Sequence, residues 1–137
     1  MEIDRAPIQP AGFSRPFWDA TKDRRLLLQY CPITEQYQFY PRPVSIFSGH
    51  RALEWRESSG AGALYSLTIS HLGPRAFSGA VPYAVGLVQL DEGVRIIGGL
   101  TRLAPADWRI GMRVKPDWLP INDGYHLLQF QPAEYQR

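Results

Sequence analysis

The stretch YAVGLVQLDEGVRIIGGL, residues 83–100, decides the fold class of this chain. Two apolar runs rich in β-branched residues flank the turn DEG, which is the pattern of a β-hairpin. Further runs of this kind lie on both sides of it, next to the turn signals SSGAG and NDG: LEWRES (53–58), ALYSLTISHL (63–72), RVKPDWLPI (113–121) and YHLLQFQP (125–132). The pattern predicts five or six short strands and favours a small barrel.

One segment interrupts the strand pattern. In APADWRIGM, residues 104–112, Pro105 and Asp107 suit a single helical or 3₁₀ turn before Gly111. A small barrel with one connector turn fits a five-stranded, partly open OB-fold.

The N-terminal part follows a different pattern. Residues 1–13 have little periodicity and predict an extended arm. Ser14 is placed to cap a short helix with Pro16 in its first turn, and this helix is expected to end near residues 22–24. LLLQY (26–30) predicts a strand, with QFYP (38–41) as its hairpin partner.

A family resemblance rests on five segments in a fixed order. They are FWDATKDRRLLLQYC (17–31), QFYPRPVS (38–45), GAGALYSLTISH (60–71), VPYAVGLVQLDEG (81–93) and RIGM (109–112). In this order they resemble the acyl-CoA-associated OB-fold family, domain of unknown function thirty-five, over about residues 14–132. The resemblance implies an N-terminal helix and a rubredoxin-like zinc ribbon joined to a small barrel. We therefore expect a mainly β protein: an extended arm (1–13), a short helix with a degenerate zinc-ribbon-like lobe (14–52) and a five-stranded OB-fold barrel (53–137).

The expected ribbon lacks most of its metal ligands. In CPITEQYQFYPRPVSIFSG, residues 31–49, the four positions would be Cys31, Thr34, Ser45 and Ser48. A closed zinc site needs four thiolate, imidazole or carboxylate ligands, and neutral hydroxyls bind zinc poorly, so we expect no structural zinc near Cys31. Apolar packing would then hold the lobe, unless some of the same side chains face outward toward another subunit: Tyr30, Ile33, Tyr37, Phe39, Tyr40, Val44, Ile46 and Phe47.

Composition limits the class of protein. The 137 residues suit one domain, and the net charge of +2 with only two lysines argues against a nucleic-acid-binding protein without excluding an anionic ligand. A single cysteine rules out an intrachain disulfide. With no signal-peptide pattern and no apolar run of membrane-spanning length, we expect a soluble cytoplasmic protein.

The candidate catalytic residues are not grouped. Strand alternation places Thr68 and Ser70 on one face and His71 on the other, and Asp91 and Glu92 belong to a turn. A stand-alone acyl-CoA transferase or hydrolase is therefore the least favoured function.

The candidate binding residues are arginines and aromatic side chains. Arg42 lies between two prolines that stiffen the chain around a guanidinium suited to phosphate. The loop at residues 71–83 lies, by resemblance, where family members approach an acyl-CoA or its enzyme. The predicted CoA or partner-binding residues are Tyr40, Arg42, Tyr65, Arg75, Phe77 and Tyr83.

The resemblance implies a non-catalytic accessory subunit that binds CoA or acyl-CoA and a thiolase-like or other acyl-CoA-processing enzyme. Self-association into a homo-oligomer stays open. The alternative from another class is a single-stranded nucleic-acid-binding OB module, because such barrels stack bases on aromatic side chains.

Overall fold

The structure is a computed structural model and describes residues 7–71 and 82–134. Its only α-helix in these ranges, α1 (Arg15–Thr21), buries Phe17, Ala20 and Thr21. The predicted Ser14 cap is wrong, because Ser14 already has helical φ and ψ angles, and its hydroxyl donates backward to the Ala11 carbonyl at 3.2 Å. Within the described ranges no helix has the length and apolar character needed to cross a membrane.

The N-terminal lobe is a three-stranded antiparallel sheet. Its strands are β1 (Leu26–Cys31), β2 (Gln36–Gln38) and β3 (Glu54–Ser58), in the order β2-β1-β3. β1 does begin a hairpin, but its partner strand is Gln36–Gln38, so the predicted partner at residues 38–41 is wrong except at Gln38. Past Gln38 the chain leaves the ladder because the side chain of Gln29 binds the backbone of Arg42.

The strand predicted from LEWRES belongs to the lobe and not to the barrel. β3 pairs with β1 in a register that runs from Leu26↔Ser58 to Tyr30↔Glu54. The lobe sheet therefore extends to Ser58, past the predicted boundary at residue 52, because β3 lies along the free edge of β1.

The second half of the chain forms the predicted five-stranded barrel. It closes in the order β4-β5-β6-β8-β7. A 3₁₀ turn at Pro105–Asp107 lies where the sequence predicts it. The strands are β4 (Gly62–Ser70), β5 (Tyr83–Leu90), β6 (Arg95–Leu100), β7 (Arg113–Pro120) and β8 (His126–Pro132).

The barrel closes weakly at one seam. β6 and β8 are parallel and pair only at Leu100↔Phe130, where the Thr101 N–H donates to the Phe130 carbonyl at 2.8 Å. By contrast, β8 pairs with β7 along its whole length. Most of the β6 edge that faces β8 is therefore free of strand pairing, as in a partly open OB barrel.

One apolar core runs through both parts of the molecule. Phe17 of α1 and Leu26 and Leu28 of β1 pack in the same buried cluster as barrel residues, including Leu64, Val88, Leu100 and Phe130. Burial of each such side chain contributes on the order of 1.5–3 kcal/mol. The lobe and the barrel therefore fix each other's position.

A glycine is required where β4 meets β5. A Cβ at Gly62 would lie 2.4 Å from the Gln89 carbonyl oxygen and 2.9 Å from the Leu90 Cα, both of them backbone atoms that cannot rotate away. We expect Gly62→Ala to lower the free energy of unfolding by about 1–3 kcal/mol, measured by urea denaturation. Gly12→Ala is the control, since a Cβ there meets nothing within 4 Å, and an equal effect of both changes would contradict this account.

Candidate functional site

Two tight turns of the lobe bring the four expected ligand positions together. In the first turn the Glu35 N–H donates to the Cys31 carbonyl at 2.7 Å, and in the second the Gly49 N–H donates to the Ser45 carbonyl at 2.9 Å. Cys31 Sγ and Ser48 Oγ lie 3.6 Å apart across the turns. The hydroxyls of Ser45 and Thr34 lie near the fully buried thiol, but Thr34 Oγ1 makes no hydrogen bond.

The donor set of this cluster does not fit zinc. It offers one thiol and three neutral hydroxyls, and Ser45 Oγ already accepts hydrogen bonds from the backbone N–H groups of Phe47 and Ser48. In residues 7–71 and 82–134 there is no group of three or more His, Cys, Asp or Glu side chains that could hold a metal ion. The absence of zinc stays a prediction to be checked by metal analysis.

The hydroxyls change the acidity of Cys31. They lower the pKa of the thiol to about 6, with Ser45 the largest cause and Thr34 the next, while burial opposes the shift. Hydroxyl donors favour the thiolate because they stabilise its charge. The shift favours the thiolate form of Cys31 relative to an ordinary cysteine.

The lowered pKa predicts a pH-dependent stability. An unfolded cysteine titrates near pH 8.5, so between about pH 6 and 8.5 the unfolded chain binds more protons than the folded chain. We expect the free energy of unfolding to rise with pH across this window, with the contribution of Cys31 complete above it and lost below about pH 6. Denaturation of the wild type and Cys31→Ser from about pH 5 to about pH 9 measures the difference. Thiolate absorbance that appeared only above about pH 8 would overturn the assignment.

A buried pair of glutamines holds the segment that carries Arg42. Gln29 on β1 and Gln38 on β2 lie opposite each other, and Gln38 Nε2 donates to Gln29 Oε1 at 2.8 Å. Gln29 binds Arg42 twice: its Oε1 accepts from the Arg42 N–H at 2.9 Å, and its Nε2 donates to the Arg42 carbonyl at 2.8 Å. Gln38 donates to the Val44 carbonyl and accepts from the Ile46 N–H. We call these two residues the glutamine clamp.

The clamp replaces part of the apolar packing expected from the sequence. Tyr30, Tyr37, Phe39 and Val44 are partly buried. In contrast, Ile33, Ile46 and Phe47 at the turn tips are 55%, 54% and 41% exposed, so these three side chains do not pack inside the lobe and follow the outward-facing alternative. Each turn closes through a hydrogen bond within its own backbone, and the side chains in the middle of the turn then point outward. The interior of the lobe at the turns is therefore filled by polar side chains.

The glutamine clamp can be tested by two matched changes on one strand. Gln38→Leu removes the acceptor of the Ile46 N–H and a donor to the buried Gln29 Oε1, and we expect a loss of about 1–3 kcal/mol in the free energy of unfolding. Gln36→Leu makes the same change at an exposed position of β2 and should stay within about 0.5 kcal/mol of the wild type. Equal losses in urea denaturation would show that Gln38 is not a special position.

Tyr40 lines an apolar groove of about 280 Å³ between α1, the segment after β2 and the open seam of the barrel. The Ile97 N–H, on the free edge of β6, donates to the Tyr40 hydroxyl at 3.3 Å. Tyr40 and Ile97 are 46% and 57% exposed. The remaining lining comes from α1 and the residue before it, the segment after β2, β6 and β8: Ser14, Phe17, Trp18, Phe39, Pro41, Ile96, Leu127 and Leu128. Pro41, the residue before Arg42, belongs to this lining.

Tyr65 lies in a second, polar groove of about 580 Å³ at the other end of β6. The Arg95 guanidinium stacks over the Tyr65 ring at 3.8 Å and donates to Gln89 Oε1 at 3.0 Å. Arg113 is paired with Asp91 through two hydrogen bonds of 2.9 and 2.8 Å. Arg95 therefore covers one face of the Tyr65 ring, and Tyr65 remains 49% exposed.

Tyr83 lines a third groove, of about 560 Å³, together with Trp118. Arg102, which also lines this groove, forms an ion pair with Asp117, with 3.0 Å between Nε and Oδ2. Arg75 and Phe77 lie outside the described residues. The structure thus brings Tyr40 and Arg42 together on one segment and places Tyr65 and Tyr83 in separate grooves, and a ligand role for each of the six residues stays a prediction.

The histidine beside α1 has a structural contact. His126 is buried, and its backbone N–H donates to Thr21 Oγ1 at 3.1 Å. The ring Nδ1 of His126 lies 2.8 Å from the Thr21 carbonyl oxygen. His50 and His71 are exposed. Cys31, the strongest nucleophile of the chain, is fully buried.

A ribbon-like lobe packed on a five-stranded barrel defines the class of OB-fold proteins with an N-terminal ribbon. The model of the ChsH2 C-terminal OB-fold domain matches residues 55–119. A solved chain described as the Ltp2-ChsH2(DUF35) aldolase superposes with a TM-score of 0.80 at 33% identity, covering 91% of this chain and 99% of that chain. The chain belongs to the DUF35 family.

Two curated relatives are longer proteins. The probable enoyl-CoA hydratase alpha subunit of Thermomonospora curvata is 37% identical over 119 residues, which cover 85% of this chain and 37% of that protein. The 3-oxo-4,17-pregnadiene-20-carboxyl-CoA hydratase alpha subunit of Mycobacterium tuberculosis is 29% identical over 143 residues, covering 93% and 42%. The chain therefore spans about two fifths of the length of these relatives.

Proposed function

We propose that this chain is a non-catalytic accessory subunit that docks on an acyl-CoA-processing enzyme and completes its CoA site. The observation that carries the proposal is the similarity along nearly the whole chain to the DUF35 chain of an aldolase complex. The names of two relatives, both hydratase subunits acting on CoA thioesters, point to the same substrate class. The partner class includes thiolase-like enzymes, aldolases and hydratases.

The docking surface is the apolar groove around Tyr40. Two of its lining residues are large side chains with about half of their surface in solvent: Tyr40 and Ile97. Exposed apolar patches with an aromatic centre are typical of subunit interfaces. The groove lies on the rigid junction of the lobe and barrel, so a partner meets a preformed surface.

A charge placed in this groove should prevent docking. We expect Ile97→Asp to abolish recovery of a CoA-thioester-converting enzyme when the tagged chain is used as bait in native lysate. Ile110→Asp is the matched control, because Ile110 is 61% exposed and lies outside the groove. Mass spectrometry and turnover of a CoA thioester identify the captured enzyme. Equal capture by both variants would place the docking surface elsewhere.

Arg42 is the residue that we expect to meet the phosphates of CoA. Its backbone is fixed by Gln29 on both sides of the residue, while its side chain is exposed. In the described residues no ion pair involves Arg42. A guanidinium on a fixed backbone loses less entropy when it binds phosphate in bidentate geometry.

The role of Arg42 predicts a loss of CoA affinity in the reconstituted complex. Arg42→Ala should weaken CoA binding roughly tenfold to hundredfold, the range of a charge-assisted hydrogen bond, in isothermal titration calorimetry. Arg51→Ala is the control, an exposed arginine of the following loop. Unchanged affinity with Arg42→Ala would remove this residue from the CoA site. Tight, strongly salt-dependent binding of a single-stranded oligonucleotide by the isolated chain would instead favour the nucleic-acid alternative.

A further inference from the structure

Ser45 organises the second turn of the lobe. Its buried side-chain oxygen accepts from the N–H groups of Phe47 at 3.1 Å and Ser48 at 3.2 Å. Its backbone N–H donates to the His50 carbonyl at 2.8 Å, and its carbonyl accepts from Gly49 at 2.9 Å. Four hydrogen bonds of one residue therefore close this turn.

The number of donors and acceptors on Ser45 and Ser48 indicates that their hydroxyl groups donate to the sulfur. A serine hydroxyl has one proton and two acceptor lone pairs. Both acceptor sites of Ser45 are taken by backbone N–H groups, so its proton is left for the Cys31 sulfur. Ser48 Oγ accepts from the His50 N–H at 3.2 Å and lies 3.6 Å from the same sulfur. Ser48 of the second turn therefore contacts the sulfur of the first turn directly, and Ser45 has a proton left to donate to the same sulfur.

We propose that this thiol-hydroxyl cluster closes the lobe at the position where a ribbon with four thiolates would hold its metal. The misfit between the donor set and zinc carries the inference. In this cluster the Cys31 sulfur plays the part that the metal plays in a zinc ribbon. Ser45 and Ser48 connect the second turn to the sulfur, as thiolate ligands would connect that turn to a metal ion. The glutamine clamp supports the same arrangement, since it fixes the chain on both sides of Ser45 through Val44 and Ile46.

The cluster is neutral apart from the sulfur itself. Glu35 and His50, the titratable residues that neighbour the two turns, have exposed side chains. The hydroxyl contacts therefore bind the turns without help from an ion pair, and the arrangement does not depend on a metal supply.

The first test measures metal dependence and the contribution of Ser45. The purified chain, expressed in medium with added zinc, should hold far less than stoichiometric zinc, and EDTA should leave its Tm unchanged. Ser45→Ala should lower the Tm by roughly 3–10 °C, because two backbone N–H groups lose their acceptor. Ser59→Ala is the matched control, an exposed serine whose hydroxyl accepts from one N–H, that of Ala61. Stoichiometric zinc, or equal Tm values for Ser45→Ala and Ser59→Ala, would overturn the proposal.

The second test asks whether the two turns place residues 34, 45 and 48 and Cys31 in positions from which four thiolates could bind one metal ion. The triple variant Thr34→Cys, Ser45→Cys, Ser48→Cys should bind one Co²⁺ with the intense thiolate-to-cobalt absorption of a tetrahedral site, and its Tm should become sensitive to EDTA. The wild type should show neither property. Failure of a folded triple variant to bind Co²⁺ would overturn the assignment of the cluster to the metal position. If Ser45→Ala does not yield folded protein, Ser48→Ala tests the same contact with the sulfur.

Discussion

The hydrogen bond between the buried amides of Gln29 and Gln38 is the constraint on which the lobe and its groove depend. Burying an amide side chain costs free energy unless its donors and acceptors all find hydrogen-bond partners. The two glutamines therefore hold the backbone groups that they bind, which belong to Arg42, Val44 and Ile46. Through this clamp the short β2 determines where Tyr40 meets the barrel and where Arg42 points outward. A polar network inside the lobe thus sets the geometry of an apolar groove outside it.

The lobe is stabilised by two kinds of interaction in different places. Toward the barrel it is apolar, and Phe17, Leu26 and Leu28 share one core with the barrel interior. Toward its own turns it is polar, with glutamine, serine and cysteine side chains that satisfy each other and the backbone. The turn tips can therefore expose Ile33 and Phe47 without loss of internal packing. That exposure leaves apolar side chains on the lobe available to other proteins.

Sequence pattern predicted the barrel well and the lobe only in outline. Alternation and turn residues identify the five barrel strands because each strand has one buried face, and residues 83–100 show this clearly. The turns that carry Cys31, Thr34, Ser45 and Ser48 were expected from the family resemblance and not from the spacing of these residues, because hydroxyl side chains carry no metal-ligand signal. No pattern marked Gln29 and Gln38, because a glutamine in a strand carries no sign of whether it faces a partner or solvent. The assignment of β3 failed for a similar reason: strand propensity does not say which edge a strand will join.

The Tyr40 hydroxyl at the open seam has a consequence for solubility. An unpaired β-strand edge is a template for intermolecular pairing, and β6 leaves much of one edge unpaired where it faces β8. Tyr40 occupies the Ile97 N–H, and the bulk of the lobe stands beside the same edge. The lobe therefore covers part of the unpaired β6 edge and hinders edge-to-edge aggregation of the barrel. The barrel strands by themselves would leave this edge open.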